Sequence, residues 1–63
     1  MTPREIEKRI KDVGWRIIPD RGKGSHRQYR HEKFPGIITI PWHGQRDLPP
    51  GTLNSILKTA GLK

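Results

Sequence analysis

Cysteine is absent from this 63-residue chain. No disulfide framework and no thiolate metal site can staple it, and the composition suits a reducing compartment. Long apolar runs are missing too, and nothing approaches the length of a membrane span. The opening segment MTPREIEKR is charged rather than signal-like, which gives the expectation of an intracellular, cytoplasmic protein. At this length the expectation is one domain spanning residues 1–63, near the lower limit at which a single core holds a fold without staples. There are no internal repeats, linkers or low-complexity segments.

Acidic residues are scarce. Six Asp and Glu stand against thirteen Lys and Arg, a formal net charge of +7 on a very small surface. A polyanion is the natural partner of such a surface, although basic side chains also keep small proteins soluble.

Thr2-Pro3-Arg4-Glu5 reads as a helix start, with Thr2 as N-cap, Pro3 at the first position and Glu5 closing a capping box. Ile6, Ile10 and Val13 follow on one stripe, Glu7, Lys8, Lys11 and Asp12 face away, and Gly14 stands at the left-handed stop. The spacing predicts a helix over 3–13. A short strand is expected at Trp15-Arg16-Ile17-Ile18, then a glycine-broken turn from Arg21 to Gly24. A second strand runs from His26 to Glu32, with Arg27, Tyr29 and His31 alternating against His26, Gln28 and Arg30. Ile37 to Ile40 is dense in β-branched residues and forms the third, ended by Pro41. Leu53, Ile56, Leu57 and Ala60 restore a helical stripe before Gly61, giving a helix over about 50–60.

The order α-β-β-β-α defines an α+β fold, a three-stranded antiparallel sheet with two helices packed on one face and the other left for a partner. Its expected core is Ile6, Ile10, Val13, Trp15, Ile17, Tyr29, Ile38, Ile40, Leu53, Ile56, Leu57 and Leu62.

Metal-ligand spacing is missing. His26 and His31, five apart on a strand, fall on opposite faces, and His43 lies in a loop without an acidic cluster, so no metal and no cofactor is expected. A serine triad is equally poorly served, because Ser25 and His26 are sequence neighbours with no acid placed to orient a base. One chemistry needs little more than what is present: attack of a ribose 2′-OH on its own neighbouring phosphate. The substrate brings the nucleophile, so the protein supplies a proton-transfer group near neutral pKa and cations for the charged phosphorane. His26 suits the first role. Arg21, Lys23, Arg27 and the backbone N–H groups of Gly22, Gly24 and Ser25 suit the second. A solvated basic turn that merely grips phosphate is the competing reading, a non-catalytic RNA-binding module. A third is a protein-interaction domain whose charge matches an acidic partner.

Gly24-Ser25-His26 after the basic turn, then Tyr29, Ile37 to Pro41 and His43-Gly44 resemble the HicA family of toxins. Gly51-Thr52-Leu53, Ser55 to Lys58, Ala60-Gly61-Leu62 and the opening helix ending at Gly14-Trp15 extend the likeness over nearly the whole chain. The resemblance implies a double-stranded-RNA-binding-domain-like (dsRBD-like) fold and an endoribonuclease acting on mRNA through a single histidine at His26. It also implies a cognate HicB-type antitoxin that covers the active surface. Trp42 is open between packing a loop, stacking on a base and anchoring the antitoxin, and the resemblance offers His43 as a supporting substrate contact.

Overall fold

The computed structural model describes residues 1–19, 26–42 and 46–63. The turn expected at Arg21 to Gly24, Ser25 beside it, and His43-Gly44 lie outside the described residues.

The first helix, α1, spans Pro3–Asp12 and begins as its sequence dictates. Thr2 Oγ1 accepts from the Glu5 N–H at 3.3 Å, and the Thr2 N–H donates to Glu5 Oε1 at 2.9 Å. Two donors that the first turn leaves without intrahelical partners are thereby satisfied, with Pro3 at a position that needs none. At the other end Val13 is the cap, and Gly14 takes φ +105°. The Gly14 N–H then reaches Lys11 O at 3.1 Å and the Trp15 N–H reaches Ile10 O at 3.0 Å, the two bonds of a Schellman motif. The second helix, α2, spans Pro50–Thr59 and closes in the same way around Gly61 at φ +77°. There the Gly61 N–H bonds Lys58 O at 3.2 Å and the Leu62 N–H bonds Leu57 O at 2.9 Å.

Between the helices lie β1 (Arg16–Ile17), β2 (His26–Arg30) and β3 (Ile38–Pro41), in sheet order β1-β2-β3 with both pairings antiparallel. The α-β-β-β-α order and the α+β class are those expected. Tyr29, Ile38 and Ile40 turn to the helices and are buried with Ile6 and Ile10 of α1 and Ile56 of α2, around Trp15.

Element ends differ from expectation for local reasons. β1 is two residues long, because Trp15 is drawn into the core at 1 % exposure, although the Ile18 N–H still bonds Gln28 O at 2.9 Å. β2 stops at Arg30 rather than Glu32, since the His31 ring turns to the end of α1. There its Nδ1 accepts from the Lys33 N–H at 2.9 Å, which leaves Nε2 as the donor to Val13 O at 2.9 Å. β3 includes Pro41 and omits Ile37; proline is tolerated there because β3 is an edge strand.

The core also differs in membership. Val13 and Ile17, expected inside, are each 41 % exposed. Val13 has left the helical path as a cap with φ −104°, and Ile17 sits on the edge strand β1, with a neighbouring strand on one side only. Leu53, Leu57 and Leu62 pack partly buried against the core rather than within it. Ala60 and Leu48 are buried instead. Leu48 is held by its N–H to Met1 O at 2.8 Å, and the neighbouring Asp47 meets the Met1 ammonium at 3.6 Å.

Candidate nucleic-acid interface

A five-residue strand sorts its side chains by parity, and the register of β2 shows which face each one joins. Arg27 pairs with Ile40, and Tyr29 lies between Ile17 and Ile38, so these side chains face the helices. His26 pairs with Pro41, Gln28 with Thr39 and Arg30 with Arg16 on the opposite, uncovered face. Gln28 Nε2 donates to Thr39 Oγ1 at 3.4 Å across that face. No acidic residue occupies any of these paired positions. His26, the first residue of β2, is exposed at one end of this surface, next in sequence to the basic, glycine-rich stretch Arg21 to Ser25.

Of the residues singled out from the sequence, Arg21, Gly22, Lys23, Gly24, Ser25 and His43 lie outside the described residues. Arg27 and His26 are not brought together: they stand on opposite faces of β2. The Arg27 guanidinium lies 4.0 Å from the centroid of the Trp42 ring, and its Nη1 is 3.4 Å from Glu7 Oε2. Trp42 is itself half-buried against the core, so its indole packs beneath a cation at the edge of the helix-facing side.

Glu7 was expected to face away from the core, and it does not. Its side chain is only 16 % exposed and turns onto β2, where it accepts from the Tyr29 hydroxyl and meets Arg27, with Lys11 at 3.9 Å one helical turn on. Burial, followed by the bond to Glu7 and its negative charge, pushes the Tyr29 phenol well above its ordinary value. Tyr29 therefore stays protonated and acts as a donor. The i, i+4 spacing of Glu7 and Lys11 was the visible signal, and it reads equally well as an ordinary solvated pair.

His31, given no role from sequence, has a structural one. Its ring bonds a terminal carbonyl of α1 and sits edge-on to Trp15 at 5.3 Å and to Phe34 at 4.8 Å, while Phe34 stacks parallel to Trp15 at 5.7 Å. It locks the end of β2 to the end of α1, on the helix-facing side and away from His26.

The arrangement defines a class: a small basic α+β protein whose sheet has one face covered by helices and one face polar and cationic, with no acidic residue at its described paired positions. A family model described as HicA toxin of bacterial toxin-antitoxin matches residues 3–62, nearly the full length. The chain belongs to that family and is a toxin of a toxin–antitoxin system. Comparison with curated proteins finds no match. No helix among the described residues is long and apolar enough to cross a membrane.

Proposed function

We propose that this toxin, a single domain over residues 1–63, is an endoribonuclease that cleaves mRNA without a metal ion or other cofactor, using His26 to move the proton. The observation that supports this most is the position of His26. It is exposed at the end of a sheet face with no acidic residue at its described paired positions, and it follows directly in sequence on the basic stretch Arg21-Gly22-Lys23-Gly24-Ser25.

In the proposed reaction His26 takes the proton from a ribose 2′-OH, whose oxygen attacks the adjacent phosphorus. The bond from phosphorus to the 5′-oxygen of the next nucleotide breaks, and that oxygen takes a proton from solvent water as it leaves, while protonated His26 returns its proton to solvent. The products are a 2′,3′-cyclic phosphate and a 5′-hydroxyl. Because the nucleophile belongs to the RNA, the protein supplies only proton transfer and charge stabilisation. The turn residues, with Arg21 and Lys23 as cations and the backbone N–H groups of Gly22, Gly24 and Ser25 as donors, hold the scissile phosphate. Arg27, engaged with Glu7 and Trp42, braces the start of β2 from the opposite face and contributes to the field there. Trp42, beneath Arg27, and His43, next to it in sequence, are further residues proposed as supporting contacts. A HicB-type antitoxin in the cytoplasm holds the toxin in check by covering this surface.

The test is cleavage of mRNA by the isolated chain in the presence of a chelator, with the parent compared with His26→Ala. The expected result is cutting by the parent and a loss of about 10²–10⁴-fold in the variant. Equal cutting by both, or inhibition by the chelator, overturns the reading. Tight binding that leaves RNA intact makes the chain a binding module instead.

A further inference from the structure

Arg16 and Arg30 face each other across the β1–β2 pair on the uncovered side of the sheet. Like charges directly opposite in an antiparallel pair repel and destabilise the sheet. Both residues are exposed, and neither forms an ion pair with any described acidic group. Beside them is a shallow cavity of about 430 Å³ lined by Gly14, Arg16, Arg30, His31 and Glu32. Glu32 also lines it and forms no ion pair with either arginine. The His31 ring is already turned to Val13 and Lys33, so the two guanidinium groups are the cationic donors that this cavity offers.

The pair shares its sheet face with His26. Arg30 is four residues along β2 from His26, which corresponds to about 13 Å of extended strand. Between them are Gln28 and Thr39, neutral and hydrogen-bonded to each other. A polyanion laid along β2 from His26 thus meets polar side chains and then two forked cations, with no carboxylate in the paired positions.

We infer that Arg16 and Arg30 form a second phosphate subsite, which grips the RNA backbone a short distance from the scissile bond and aligns the strand along the open face of the sheet. The inference rests on the nuclease reading and adds to it the path of the substrate. The repulsion within the pair is then relieved on binding, when a bridging phosphate replaces it with charge-assisted hydrogen bonds. The subsite carries no sequence information, since phosphate contacts position without specifying.

The experiment uses the full chain and a fluorescent single-stranded RNA long enough to cover the sheet. Affinity is measured across a salt series in the His26→Ala background, so that the probe stays intact. Arg16→Ala/Arg30→Ala is expected to weaken binding about tenfold at low salt and to flatten the log–log salt dependence by about 1.4, the contribution of two phosphate contacts to a single strand. Arg4→Ala/Lys8→Ala removes the same charge from exposed positions of α1 and is expected to leave the slope nearly unchanged. Thermal melting of the sheet variant verifies folding, and removal of a repelling pair should hold or raise its midpoint. Equal slopes for parent and sheet variant, or equal losses in both double variants, overturn the subsite. Chelator-resistant, His26-dependent cleavage in the otherwise native chain is scored in parallel. If that cleavage stands while the slopes are equal, the subsite alone fails; if neither cleavage nor binding is seen, the nuclease reading fails with it.

Discussion

The Tyr29 hydroxyl donates to the Glu7 carboxylate, tying the middle of the sheet to the first helix across the edge of the core. The same carboxylate receives Arg27 from β2 and Lys11 from its own helix, so one acidic side chain organises three neighbours. Removing the phenolic oxygen by Tyr29→Phe keeps the ring in place. The expected cost is about 1.5–3 kcal/mol, the range for a hydrogen bond to a charged group, read as a lowered denaturation midpoint in urea with unchanged slope.

The same contact has a pH signature. In the folded chain the phenol is held above its ordinary value of 10.0, first by burial and then by Glu7. The folded state therefore retains a proton that the unfolded chain gives up. That stability is fully present below about pH 10 and declines as pH rises further. Parent and Tyr29→Phe are expected to converge in stability through this alkaline range; a constant difference between them would contradict the assignment.

Gly14 has two reasons to be glycine. Its φ is +105°, and a Cβ there would lie 2.7 Å from Nε2 of His31. Gly14→Ala is expected to cost about 1–3 kcal/mol for the backbone conformation, with the collision added. In a double-mutant cycle with His31→Ala the collision disappears and the conformational part stays, so the double variant should be less destabilised than the sum of the singles. Strict additivity in chemical denaturation would mean that the ring and the glycine do not meet.

Arg27 over Trp42 predicts a loss that concerns the fold before any substrate is present. Arg27→Ala should cost about 0.5–2 kcal/mol, the range for a guanidinium over a half-buried indole, and should change the Trp42 fluorescence. Arg27→Lys should restore the charge but only part of the stacking. Unaltered emission in both variants would argue against the contact.

Cleavage through the ribose hydroxyl makes a demand on the substrate. Replacing the nucleotide at the cut by its 2′-deoxy analogue should abolish the reaction while leaving binding intact, and the 5′ fragment from normal RNA should end in a 2′,3′-cyclic phosphate. A 3′-hydroxyl at that end would require a different nucleophile.

Much of the fold is legible in the sequence because the signals are local. Thr2, Pro3 and Glu5 announce the start of α1, Gly14 and Gly61 announce both helix ends, and the β-branched run after Ile37 announces β3. What escaped depends on partners far along the chain. Val13 and Ile17 fit the apolar pattern but lie where a cap and a sheet edge leave them half-exposed, whereas Leu48 is buried through a backbone bond to Met1. Glu7 reads as solvated until β2 brings Tyr29 and Arg27 to it. At the site, strand alternation separates His26 from His31, whereas Arg27, read from the sequence as a phosphate contact beside His26, lies on the opposite face with Glu7 and Trp42. The Arg16–Arg30 pair needs the register between two strands, which no single segment encodes.

The margins of the sheet bear on how the protein behaves when concentrated. One margin is β1, a strand of two residues, and the other is β3, which ends in a proline without an amide hydrogen. Short or proline-blocked borders give a foreign strand little to zip onto, which natural sheet proteins exploit against fibre growth. A toxin gains colloidal safety from these borders, while the cationic side chains Arg16 and Arg30 of its broad face stay exposed.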